Sequence, residues 1–150
     1  MYVYDDSRHP LVIIHVSGSF TDAEIHRFMN DLRGLVDREA PHALIYDLAH
    51  AEIPRREVVM DMLRWTRELR VHHKALYEDR PDPIPTYTAY FMPGRLGSLL
   101  RFFEQMLPGI RNQQGYFEDL ESAVVASEQA LLRFGLDVPP AVLPRRRAGS

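Results

Sequence analysis

The 150-residue chain contains no cysteine, which removes disulfide scaffolding, thiolate nucleophiles and the usual structural zinc sites together. Histidine, aspartate and glutamate remain as metal ligands, and none of them falls at the spacing of a ligand motif, so no metal or other cofactor is expected. Long hydrophobic runs are missing as well. The longest apolar stretches are strand-sized, far short of the roughly 18 residues of a membrane span. Residues Met1 to Pro10 carry two aspartates and an arginine where a secretory leader would be positive and then apolar, which predicts a cytoplasmic protein. Excess positive charge is also lacking: at a net charge of −3 the chain is not expected to bind nucleic acid, which calls for a clearly basic face. Catalytic signatures are scarce. The nucleophile elbow GxSxG does not occur, and Gly94-Arg95-Leu96-Gly97 is too short for GxGxxG, lacks the P-loop lysine and reads as a turn.

What is present is an ordinary globular composition, 45% hydrophobic and 26% charged, in a length that suits one core. Leu11 to Val16 is a β-branched apolar run closed by Ser17-Gly18 and predicts a buried strand, with Tyr2 to Tyr4 as an edge strand before it. Thr21-Asp22-Ala23-Glu24 has the form of a capping box, and Ile25, Phe28, Met29, Leu32, Leu35 and Val36 follow on one helical stripe. Ala43 to Leu48 predicts a central strand. Pro54 suits the first turn of a second helix running from Arg55 to about Lys74, with Val58, Val59, Met62, Leu63, Trp65, Thr66 and Leu69 on its inner face. Three prolines between Pro81 and Pro85 stiffen the following loop. Thr86 to Met92 reads as a strand, Arg95 to Leu107 as a third helix, Ile110 to Phe117 as a weak strand and Glu118 to Phe134 as a last helix ended by Gly135. The expected organisation is a domain over 1–136 and a disordered tail over 137–150 containing prolines and Arg145-Arg146-Arg147. The fold class is α/β, a small mixed β-sheet of four to five strands with about four helices.

The order of these elements resembles that of STAS domains. Gly18-Ser19-Phe20-Thr21, Leu44-Ile45-Tyr46-Asp47-Leu48, and Tyr116-Phe117-Glu118-Asp119-Leu120-Glu121-Ser122-Ala123 resemble the SpoIIAA-like branch of that group. The resemblance spans about residues 1–136. It implies a small mixed sheet with helices packed against it, and it extends to lipid-binding relatives of the same fold. In STAS anti-sigma-factor antagonists the loop after the middle strand carries a phosphorylated serine. Here no serine or threonine occurs from Asp47 through Trp65, so that control is missing.

Two groups of candidate residues follow. On the second helix, helical geometry places Met60 and Val71 at the centre of the polar face, framed by Arg64 and Arg67, an arrangement like the core and rim of an interface with a protein partner or a second copy. Elsewhere on that face Asp61 with Arg64, and Arg64 with Glu68, have the spacing of surface ion pairs. The second group serves the alternative reading, a carrier or sensor of a small apolar ligand or lipid. Asp47, His50 and Glu52 are expected in the loop at the carboxyl end of the middle strand, where open α/β sheets place ligands. The third helix, with Leu96, Leu99, Leu100, Phe102, Phe103, Met106 and Leu107, has an apolar arc wider than one core face requires, and Tyr87 or Tyr90 beside it is expected to reach polar surroundings. The adjacent His72 and His73 diverge by about 100° on a helix and complement its carboxyl end better than they chelate an ion. The first reading is a non-catalytic regulatory or scaffold module.

Overall fold

The computed structural model describes residues 1–52, 54–92 and 113–141. Its centre is a five-stranded sheet in sequence order: β1 (Tyr2–Arg8), β2 (Leu11–Gly18), β3 (His42–Ala51), β4 (Thr86–Phe91) and β5 (Gln113–Phe117). β1 and β2 form an antiparallel hairpin, and β2 through β5 run parallel, so the connections from β2 to β3 and from β3 to β4 cross a face of the sheet. Helices α1 (Asp22–Asp37) and α2 (Arg56–His73) make these two crossings, and α3 (Leu120–Arg133) follows β5. The helix expected over 95–107 lies outside the described residues.

Strand alternation divides the core in two. Tyr2, Val12, Ile14, Val16 and Leu44 point to one face, where Phe28, Leu32 and Leu35 of α1 and Met62, Trp65 and Leu69 of α2 meet them. Leu11, Ala43, Ile45, Tyr87 and Ala89 point to the other, which α3 covers with Ala123, Ala130 and Leu131. β2 is covered on both sides, which is why Leu11–Ile14 reads as a continuous apolar run instead of alternating.

The capping box acts where expected at the start of α1, whereas the last helix starts at Leu120 and not at Glu118. The Thr21 hydroxyl accepts from the Glu24 amide at 3.2 Å while the Glu24 carboxylate accepts from the Thr21 amide at 3.1 Å, closing the capping box. Those bonds hold the Glu24 carboxyl below its ordinary range. Asp119 caps α3 by accepting from the Ser122 amide at 2.7 Å. Pro54 departs from expectation: it precedes the Arg55 N-cap instead of occupying the first helical turn. Arg55 has an extended backbone, the conformation that the residue after Pro54 needs if the chain is to turn into the helix.

Beyond α3 the chain stays on the body for a few residues. Leu136 and Val138 pack against the second core, and Arg8 donates to the Pro139 carbonyl at 2.9 Å. At its other end α2 runs into a π-helical turn, Lys74–Glu78, that inserts Tyr77 between the helices. Tyr77 is 1% exposed, stacks on His73 and donates its hydroxyl to the Val36 carbonyl at 2.6 Å. Burial pushes that hydroxyl up to about 12.

Candidate functional site

The amphipathic pattern of α2 sets which of its residues face outward. Met62, Trp65 and Leu69 pack on the first core and the side opposite them is left to solvent, while Leu63, about 60° round from Met60, is buried as well. Met60 and Val71 lie there at 54% and 73% exposure, and Arg64 and Arg67 between them are exposed as well. Eleven residues at the helical rise put Met60 and Val71 about 16 Å apart on one line. Arg56 and Lys74, both exposed, lie about 50° to one side of this line and Glu57 about 50° to the other, with Glu68 and Asp61 further round at about 70° and 90°. The ion pairs expected from spacing are not formed: neither Asp61–Arg64 nor Arg64–Glu68 is among the salt bridges of the described residues. Exposed pairs of this kind gain only about 0.2–0.5 kcal/mol, too little to hold two long side chains in one geometry. Neither Arg64 nor Arg67 therefore has an ion pair among the described residues.

The loop expected to carry Asp47, His50 and Glu52 is shorter than its composition suggests. β3 continues through Ala51, so Asp47 and His50 are strand residues and only Glu52 follows the strand. Pairing with β2 overrides the polar composition: Ser17 pairs with His50, Gly18 pairs with Ala51, and the Glu52 amide donates to the Gly18 carbonyl at 3.0 Å. A register shift after His15 and Asp47 restores the pairing beyond it. Asp47 finds a partner that the sequence reading missed. Its carboxylate lies 2.7 Å from Nδ1 of His15, its cross-strand neighbour, and both side chains are partly buried. Among the described residues nothing brings a third ligand to them, and no group of three or more His, Asp or Glu there could hold a metal ion.

The aromatic candidates separate in the same way. Tyr87 faces the α3 core at 7% exposure, four residues along β4 from the level of Asp47, so the two lie about 13 Å apart along the strands. Its hydroxyl is near the backbone of Gly115, where a Cβ would come within 2.4 Å of it. Burial raises the pKa of that hydroxyl. Tyr90 points to the other face, in a ladder that sequence reading also missed. Tyr46, Tyr90 and Tyr116 are register partners on β3, β4 and β5, and their rings stack at 5.2 and 5.4 Å. Phe102 lies outside the described residues. His72 reaches Asp37 on α1, while His73 is buried. The five residues assigned to a ligand are not assembled into one site by the described part of the chain.

No protein-family model and no curated protein matches this sequence. Among solved structures, the fold is that of an uncharacterized protein of the DUF3478 family with a SpoIIAA-like fold from Shewanella loihica PV-4. The two share 14% identity and a TM-score of 0.55, covering 85% of this chain and 92% of that one. The chain thus has a SpoIIAA-like α/β fold, as its element order implies. An anti-sigma factor antagonist from Mycobacterium paratuberculosis is also similar, at 17% identity and a TM-score of 0.47 over 85% of this chain and 93% of that one. No helix among the described residues is long and apolar enough to cross a membrane.

Proposed function

We propose that the protein is a non-catalytic regulatory or scaffold module that works by protein contact through the outer face of α2. The observation that carries this reading is the pair Met60 and Val71, two apolar side chains at 54% and 73% exposure on one line of a helix whose inner face is already satisfied by the core. Scattered surface apolar residues are common; two on one stripe, with exposed arginines between them, have the composition of an interface centre and its rim. The neighbouring segment lacks the hydroxyls of a phosphorylation switch. The first one after it, on Thr66, is half-buried and donates to the Met62 carbonyl at 2.6 Å. Binding would then be governed by partner concentration or by competition for this face.

The test compares tagged wild type with Met60→Asp in the source cell. Because Met60 is exposed, the variant should keep its circular dichroism spectrum and its stability within about 0.5 kcal/mol. Complexes recovered with the wild type should be lost, since a charge desolvated at an interface centre costs roughly 2–5 kcal/mol. Unchanged complexes from a folded variant would remove this face from the account.

A further inference from the structure

α2 is not the only helix with an apolar line facing outward. On α3, across the sheet, Val125 and Leu132 are exposed at 47% and 63%, seven residues apart and within about 20° of one another around the helix. The charge around them has the opposite sign. Glu121 and Glu128 lie within about 60° of that line, Ser122 and Gln129 lie on its other flank, and the helix's one cation, Arg133, is about 80° away. Glu128 already accepts from Arg8 at 2.8 Å, while exposed Glu121 has no ion pair among the described residues. The molecule therefore carries two apolar stripes on opposite faces of its sheet, one bordered by Arg56, Arg64, Arg67 and Lys74 with Glu57 as the single acid at the same distance, the other by Glu121 and by Glu128, which Arg8 already pairs.

We infer that the partner of the α2 stripe is a second copy of this chain, docked through its α3 stripe in a head-to-tail contact; the inference rests on the proposed role of α2. Charge complementarity selects this arrangement over a two-fold dimer. Pairing α2 with α2 about its midpoint would set Met60 against Val71 but also Arg64 against Arg67, placing like charges at the centre, and pairing α3 with itself would oppose glutamates. Pairing α2 with α3 joins apolar to apolar and arginine to glutamate. Each copy uses one face and keeps the other free, so the contact does not close after two chains and continues into a series or a ring.

That property supplies the test. In analytical ultracentrifugation at low salt, the wild type should rise in average mass with concentration up to about 1 mM, and the rise should shrink as salt screens the charges. Met60→Asp blocks the α2 stripe and Leu132→Asp the α3 stripe, so each alone should be monomeric. An equimolar mixture of the two should form a species of two chains and go no further, because one intact stripe of each kind remains. Arg64→Glu with Arg67→Glu, and Val125→Asp, repeat the experiment at independent positions should a first variant unfold. A wild type that stays monomeric, a dimer insensitive to Leu132→Asp, or a mixture that does not associate would each overturn the head-to-tail contact. If the wild type is monomeric yet Met60→Asp still loses its complexes in the cell, the α2 interface stands with a different partner. If those complexes persist, both fail.

Discussion

The two faces of the sheet are closed by different means. Under α1 and α2 the packing is aromatic: the Phe28 ring lies 5.9 Å from those of Tyr2, Phe20 and Trp65 and 6.3 Å from Tyr46. Under α3 it is small: Ala43, Ala89, Ala123, Ala130 and Ser127 are all fully buried, and Gly115 leaves room for Tyr87 and Phe117. Packing built on bulky rings depends on filled volume, whereas packing built on small buried residues depends on the absence of extra atoms. The difference teaches that the two faces should fail under opposite substitutions.

The largest effect is expected from removing atoms on the aromatic face. Phe28→Ala leaves a void at the junction of four rings and should cost about 3–5 kcal/mol in denaturant unfolding. A loss below about 1 kcal/mol would mean that the rings collapse together and do not set the helix spacing.

A comparable loss is expected from acid near the lower ends of the strands. His42 is buried, bonded through Nδ1 to the Ala40 carbonyl at 3.1 Å, and burial lowers its pKa from 6.5 to about 4, with His73, His9 and Arg38 adding to the effect and the Ala40 bond opposing it. A depressed native value favours the neutral ring, so the contribution is complete above the unfolded value of about 6.5 and is lost as pH falls toward 4. The span corresponds to about 3 kcal/mol, and His42→Asn should flatten this part of the stability–pH curve. An unchanged curve in the variant would assign the loss to other groups.

Adding atoms on the α3 face should cost somewhat less, about 1–3 kcal/mol for Ala130→Leu and a similar amount for Gly115→Ala, whose new methyl would meet the Tyr87 hydroxyl at 2.4 Å and the Phe117 ring at 2.6 Å. The same Ala-to-Leu exchange at exposed Ala75 should be close to neutral. If Ala130→Leu is also neutral, α3 is not closely seated and the contrast between the faces disappears.

Much of this fold was legible in the chain because its local signals agree. The capping box at Thr21, the run Leu11–Val16 and the inner stripe of α2 each specify an element without help from distant residues. The positions of Met60 and Val71 were legible for the same reason, since helical periodicity alone sets a face. The placement of the polar candidates was less so. Asp47 and His50 look like loop residues until β2 is laid beside β3, and pairing between strands far apart in sequence leaves no local trace. His15 carried a weak signal: it interrupts an apolar strand as Asp47 interrupts the next, so matching the two interruptions would have suggested a pair. The tyrosine ladder needed the register of three strands at once. The surface pairs on α2 misled in the opposite way, because spacing permits a contact whose energy is too small to fix it.

The central claim, that the outer face of α2 is a protein contact, is tested most directly by p-benzoylphenylalanine at position 71, photoactivated in the source cell, with the same group at exposed Arg33 of α1 as the control. The account predicts a discrete protein adduct from position 71 that is absent from position 33 and is lost when Met60→Asp is added. No adduct at 71, or equal adducts at both positions, would contradict it.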